Sequence, residues 1–154
     1  MSLKSIVSRC TVTLVNAARK MQSLQIGLTA GSFKDDVEHL EPYGYTSRPH
    51  PGAEGVAVFP GGDRSHGVVV VVADRRFRLK GLKPGEVALY TDEGDKIHFE
   101  RGRKLTVVTA TLTIQATDSV DIQSPELTHN GVNIGSTHGH GGVVKGGDRT
   151  GGPI

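Results

Sequence analysis

Residues 107–122 read "VVTATLTIQATDSVDI", and this stretch decides the fold. From Val108 to Ile122 the even positions are apolar except for Asp118, whereas the odd positions carry Thr, Ser, Gln or Asp. A period of two is typical of a β-strand with one buried face and one wet face. A continuous strand of this length would reach roughly 50 Å, far beyond the usual five or six residues. The stretch therefore predicts β-structure that a small domain cannot cover by itself.

The alternating stretch contains a short repeat. Segments 111–116, 119–124 and 131–136 read "TLTIQA", "SVDIQS" and "GVNIGS", each with an apolar residue two positions before an isoleucine. Such repeats cannot bury their own apolar face and need neighbours to stack on. The chain offers no further repeats, so the cover must come from other copies of the chain. Three copies wound about one axis would bury the even positions, and the stretch therefore predicts a homo-oligomeric β-structure.

Short apolar runs separated by Gly, Pro and Asp turn signals precede this stretch. Five or six strands at such spacing are typical of a small barrel or sandwich, and a five-stranded oligonucleotide/oligosaccharide-binding (OB) barrel fits the size best. Segment 35–55 holds three prolines and predicts a long loop. The predicted strands are 9–16, 22–29, 56–60, 66–74, 86–91 and 96–101.

Two histidines, His138 and His140, stand in the glycine-rich segment "GVNIGSTHGHGG" (131–142). In an extended chain, residues two apart point the same way, so both imidazoles can face one target. Taken alone, the pair is more simply interpreted as a solvated tail. In a trimer, three such pairs would place six nitrogens at the axis, a saturated octahedral site that suits a first-row divalent ion such as Fe²⁺. With no position left for substrate, the site would be structural.

Composition narrows the function classes. The chain has 154 residues with 18 Lys+Arg against 16 Asp+Glu. This small net charge does not favour binding to nucleic acid or to a membrane surface. A single cysteine, Cys10, excludes an intrachain disulfide and suits folding in a reducing cytoplasm. The sequence contains no run of about 18 apolar residues, the length at which a membrane-spanning helix is predicted. No nucleophile–base arrangement stands out, so we expect no enzymatic activity.

Three other interpretations remain open. The basic stretch 73–83 around Phe77 could make the barrel a single-stranded nucleic-acid-binding module, although a solvated strand face is the simpler interpretation. A metal-dependent hydrolase at His138 and His140 would need an open coordination position and a carboxylate base. A trimeric fibre with a glycan-binding tip should carry aromatic residues there, and the segment 137–154 has none.

The order of barrel, alternating repeat and glycine-rich end resembles a known family. The segments "PYGYTSRPHPGAEGVAVFPGGDRSHGVVV" (42–70) and "NIGSTHGHGGVVKGGDRTGGPI" (133–154) are similar to the baseplate spike proteins of contractile-tailed phages, the baseplate assembly protein V class and its Mu-like members. The resemblance implies a homotrimer whose barrels plug the baseplate hub. It also implies an apex that encloses one iron ion per trimer, held by His138 and His140 of each chain. Some tips of the family also hold calcium or chloride.

On this resemblance we expect an all-β chain with three regions. These are an OB-fold-like barrel with an N-terminal arm at 1–101, an intertwined trimeric β-helix shaft at 102–134 and a metal-binding apex at 135–154. The implied function is that of the central spike of a Mu-like phage or prophage tail, a needle that pierces the host outer membrane when the sheath contracts. The implied location is the tail baseplate of the virion. The expected partners are further copies, the hub protein and the outer membrane, and neither nucleic acid nor a small-molecule substrate.

Overall fold

The computed structural model of the chain describes residues 6–29, 31–139, 142 and 146. Within these ranges the regular structure is β-strand, apart from one short 3₁₀ turn at Pro60–Gly62. The same ranges contain no helix that is long and apolar enough to cross a membrane. The chain divides into two compact units, residues 1–111 and residues 112–154.

Five strands of the first unit close into a barrel, which confirms the prediction of a five-stranded barrel. The strand order is β1-β2-β3-β5-β4, and β1 pairs with β4 to close it. All neighbours are antiparallel except β3 and β5, which are parallel. This is a small Greek-key barrel of the type expected. The strands are β1 Val7–Asn16, β2 Ser23–Leu28, β3 Phe33–His39, β4 Glu54–Val58 and β5 Val68–Ala73.

Alternation along these strands fills the barrel interior. On β2, for example, Leu24, Ile26 and Leu28 are buried, because residues two apart share one face of a strand. Full burial of a side chain of this size stabilises the fold by about 1.5–3 kcal/mol. The largest fully buried side chains are Phe59, Leu24, Ile26, Val12 and Val69.

Strands β3 and β4 correct the prediction of a loop over 35–55, which is wrong for residues 35–39 and 54–55. Only Val37 and His39 of β3 are buried. This strand also contains a bulge at which Asp36 takes a φ of 59°, and the bidentate ion pair with Arg19, at 2.5 and 2.6 Å, holds this residue in place. A bulge inserts an extra residue and shifts the side-chain alternation. The alternation of buried and exposed side chains therefore covers too few residues to be recognised in this acidic segment.

A prediction concerns Gly55, which lies where β1, β4 and β5 meet inside the barrel. A Cβ at this position would lie 2.9 Å from the carbonyl oxygen of Val71 and 3.1 Å from Cys10 Sγ. Because the first contact is with backbone, Gly55→Ala should destabilise the barrel by about 1–3 kcal/mol. Thermal unfolding followed by far-UV circular dichroism measures the change. Gly27→Ala is the control, since its nearest contact is 3.4 Å from the Phe33 ring, and an equal loss in both variants would contradict the prediction.

The predicted strands 86–91 and 96–101 do not join the barrel. They form β6 (Val87–Tyr90) and β7 (Lys96–Glu100), which pair with β8 (Lys104–Val108) in a separate antiparallel sheet, order β6-β7-β8. The physical reason is that pairing between β1 and β4 closes the barrel, so that no edge is left for further strands.

In a single chain the alternating stretch is not a strand. No strand is assigned between 109 and 127, a range that the structure describes throughout. A strand needs a neighbour for its backbone hydrogen bonds, and one copy of the chain does not supply one. The second unit contains one short hairpin, β9 (Thr128–His129) with β10 (Val132–Asn133). Its turn residues, Asn and Gly, have φ of 50° and 79°, as a two-residue hairpin turn requires.

Candidate functional site

The apolar residues of the alternating stretch are exposed in the single chain. Leu112 and Ile114 expose 63% and 67% of their surface, and Val120 and Ile122 expose 55% and 59%. Single exposed apolar residues are common, but a row of them at every second position is not. We call the apolar even positions of 108–122 the apolar column. One chain therefore leaves this row of apolar side chains in contact with water.

The hairpin carries the column's repeat toward the histidines. Val132 and Ile134 are also exposed, at 65% and 49%. Pairing continues past β10, since the N–H of Ile134 donates to the carbonyl oxygen of Leu127 at 2.8 Å. The hairpin thus fixes the chain direction immediately before residues 135–139.

A tight turn positions His138. The side-chain oxygen of Asn133 accepts the N–H of Gly135 at 2.8 Å, and its amide nitrogen donates to Thr137 Oγ1 at 2.9 Å. The N–H of His138 then donates to the carbonyl oxygen of Gly135 at 3.1 Å. Sequence reasoning did not single out Asn133, although an Asn two residues before a Gly is a known turn signal.

The same turn selects the tautomer of the imidazole. His138 Nδ1 lies 2.6 Å from the carbonyl oxygen of Gly135. Because a carbonyl oxygen only accepts, Nδ1 must carry the proton, and the ring lone pair lies on Nε2. Histidines that bind metals commonly donate their other ring N–H to a backbone carbonyl in this way. His138 therefore fits the role of a metal ligand. His140 lies outside the described residues.

The described part of one chain does not bring together three or more side chains of His, Cys, Asp or Glu that could hold a metal ion. The prediction never required this, since each chain would contribute only an imidazole pair. A complete octahedron needs six donors and therefore three chains.

Two of the five basic residues in the stretch 73–83, Arg75 and Arg76, form ion pairs within their own unit. The Phe77 ring packs against the His50 ring at 5.3 Å between centroids, and the Arg76 guanidinium lies 5.2 Å from its centroid. Arg76 in turn donates to the carbonyl oxygen of Pro51 at 2.9 Å and to Asp74 at 2.6 Å. The hydrogen bond from Arg76 lowers the pKa of the Asp74 carboxyl below its ordinary value.

A second carboxylate holds two more arginines of the barrel. Glu54 pairs with Arg9 at 3.0 Å and also with Arg75. The hydrogen bond from Arg75 lowers the pKa of Glu54, and the same contact raises the pKa of Arg75. Stacking platforms for single strands need open aromatic faces and unpaired cations. The geometry around Phe77 and Glu54 does not favour such a platform.

One exposed turn brings together an aspartate, a serine and a histidine. Asp63 Oδ1 accepts both the backbone N–H and the hydroxyl of Ser65, at 2.8 and 2.7 Å. Those two hydrogen bonds, followed by one from His66, lower the pKa of Asp63 to about 2. His66 Nδ1 lies 2.9 Å from Ser65 Oγ, but the hydroxyl proton is donated to the Asp63 carboxylate. His66 Nδ1 can then only donate to this oxygen, so the arrangement does not activate Ser65 as a nucleophile. The cluster stabilises the turn.

Known proteins similar to this chain are phage proteins. The family model "Bacteriophage Mu Gp45, N-terminal" matches residues 9–76, which include most of the barrel. The chain is 39% identical over 136 residues to the Mu-like prophage FluMu protein gp45 of Haemophilus influenzae, covering 84% of this chain and 74% of that protein. The chain belongs to the phage Mu gp45 family. It is also 35% identical over 129 residues to the baseplate puncturing device gp45 of Escherichia phage Mu.

The family membership confirms the resemblance found in the sequence. The similarity to gp45 of phage Mu covers 84% of this chain and 66% of the Mu protein. The chain thus spans about two thirds of the length of that relative. The matched region 9–76 contains Arg76 and the ion pairs of Glu54 with Arg9 and Arg75, but it ends before β6.

Proposed function

We propose that this chain is the central spike of a Mu-like contractile tail, a homotrimeric needle that pierces the host outer membrane. It is a protein of the tail baseplate in the virion, as members of its family are, and its role is structural rather than catalytic. The proposal draws on the relative named baseplate puncturing device gp45 and on the Mu-like prophage relative. The observation that carries it is the exposed apolar column.

The column explains why the needle would be a trimer. Leu112 and Ile114 are about two thirds exposed in one chain, and the intervening threonines are polar. Three chains wound together would bury the apolar positions at the axis and satisfy each backbone with hydrogen bonds to its neighbours. We assign this intertwined shaft to residues 102–134, between the barrel region 1–101 and the apex 135–154.

The chemistry of the shaft suits mechanical work. A needle driven through lipid must have no open sheet edge, because unpaired backbone groups are costly in hydrocarbon and sticky in water. A closed trimer with Thr, Ser, Gln and Asp on its outer surface meets both conditions. It would emerge from the membrane with its polar surface unchanged.

The apex would hold an iron ion through His138 and His140 of three chains. The hydrogen bond from His138 Nδ1 to Gly135, which leaves the lone pair on Nε2, supports this assignment. When bound, the ion would supply a rigid cross-link among the three chain ends where the apolar column runs out. Calcium or chloride in the tip remains a proposal without assigned ligands.

The partners follow from this role. The barrel would bind the baseplate hub, and the apex would meet the outer membrane first. The alternative of a single-stranded nucleic-acid-binding module receives less support, because Phe77 is packed against His50 and Arg76. It also leaves the apolar column without a purpose.

A single measurement tests the proposal. Light scattering of the purified protein should give the mass of three chains, and metal analysis of the same peak should give about one iron per trimer. A metal-free monomer would contradict the spike, since the column would then have some other cover. A trimer without iron would retain the needle and reject only the apex assignment.

A further inference from the structure

One face of the β6-β7-β8 sheet is apolar and exposed. Strand register aligns its side chains in two rows that cross all three strands. Each of these side chains exposes between 40% and 61% of its surface. We call the set the apolar sheet face, and its rows are Val87–Phe99–Leu105 and Leu89–Ile97–Val107.

The opposite face of the same sheet carries polar groups with partners in the chain, together with the partly exposed Tyr90 and Val108. Glu86, which directly precedes β6, accepts two backbone N–H groups and lies 3.3 Å from His98 Nε2. Glu100 pairs with Lys104 at 3.0 Å and accepts the hydroxyl of Thr106 at 2.5 Å. The two faces therefore differ in composition, since charged and polar side chains occur on the opposite face and none occurs in the rows of the apolar sheet face.

The size of the apolar sheet face argues that it is covered. Six half-exposed side chains amount to about 500 Å² of contiguous apolar surface, near the upper range for the largest patch on a monomeric protein. No charged residue interrupts either row. A patch of this size is often a functional contact surface.

Chain continuity identifies what covers it. Strand β8 ends at Val108, where the apolar column begins. If three chains pack about one axis from this residue onward, strand and sheet spacings place its copies about 5–10 Å apart. Leu105 precedes Val108 by three residues, or about 10 Å of strand. The three copies of β8 therefore lie within side-chain reach of one another.

The apolar positions also change phase at this point. In β8 the odd positions Leu105 and Val107 belong to the apolar sheet face, whereas the column uses even positions from Val108. Odd and even residues of an extended chain point to opposite sides. The apolar sheet face is therefore not a simple continuation of the buried column and needs a contact of its own.

We infer that the apolar sheet face packs against a second copy of this chain, in a contact between protomers that is separate from the apolar column. The inference rests on the proposed trimer and adds a second interface to it. Each chain would then be held by two surfaces on opposite sides of one strand run.

Two adjacent positions of β6 provide a matched test. Leu89 lies on the apolar sheet face and Tyr90 on the opposite face. In the single chain, 54% of the surface of Leu89 and 44% of the surface of Tyr90 are exposed. Leu89→Cys and Tyr90→Cys would be purified as the full-length protein and labelled with fluorescein maleimide. The native Cys10 is buried and gives the background rate in the unsubstituted protein. We expect Leu89→Cys to react at least tenfold more slowly than Tyr90→Cys.

A third variant, Ile114→Cys, separates this inference from the proposed function. If the thiols at 89 and 114 are both protected, both interfaces exist. If position 114 is protected and 89 reacts as fast as 90, the inference is wrong while the trimer stands, as it would be if another baseplate protein covers the sheet. If both react rapidly, the trimer and the inference fail together. Protection at 89 alone would support the interface at the apolar sheet face and contradict burial of the apolar column between protomers.

Discussion

Ile114→Asp should leave the purified protein monomeric. In the proposed shaft, the substitution places three carboxylates close together at an apolar axis with no cation to pair them. Burying each unpaired charge costs several kcal/mol, or roughly 10 kcal/mol for the trimer. Ile114 is among the most exposed residues of the column in the single chain, so the monomer itself should fold normally. Sedimentation equilibrium of the refolded protein measures the outcome.

Thr113→Asp is the matched control for this prediction. It adds the same charge one residue earlier, on the polar side of the alternating stretch. We expect it to remain trimeric, because its carboxylate would face water. If both variants stay trimeric, the even positions are not buried at an axis. If both become monomeric, the alternation does not separate an inner from an outer face.

The double variant His138→Ala with His140→Ala should lose the metal and keep the trimer. Removing all six imidazoles removes every proposed donor, so iron should fall from about one per three chains to below about one tenth of that. The apolar column contributes most of the surface that we propose to be buried between protomers. The mass of the protein in solution should therefore not change. Metal analysis and light scattering of the same peak test both parts.

His129→Ala is the control for the histidine prediction. His129 belongs to β9 and precedes the hairpin turn, and no ligand role is assigned to it. This variant should retain iron at the level of the unsubstituted protein. A monomeric double variant, by contrast, would show that the apex and not the column holds the chains together. Iron retained in the double variant would place the site elsewhere.

The elements with a clean pattern were predictable. Strands β1, β2, β4 and β5 carry runs of β-branched and aliphatic residues between turn signals, and the closed barrel agrees with the expectation from them. The Asn-Gly pair at 130–131 is a turn signal, and the hairpin is present there. In each case the residues of one short segment are sufficient to determine its local geometry.

Elements whose pattern is interrupted were not predictable. The bulge at Asp36 hides the alternation of β3, so the strand was taken for a loop. Strands β6 and β7 looked like barrel strands, because four or five residues of alternation do not reveal which sheet a strand joins. The turn that sets the tautomer of His138 depends on hydrogen bonds from Asn133 and Gly135, whose geometry the letters alone do not give.

The sequence by itself determined that this protein is all-β, that its apolar column exceeds what one chain can cover, and that two histidines stand at its end. These features follow from periodicity and composition, which are local properties. The tertiary structure alone decided which strands close the barrel and that the β6-β7-β8 sheet collects six apolar side chains on one face. Those features depend on register between distant segments, because a cross-strand row such as Leu89–Ile97–Val107 exists only after three separate strands have paired.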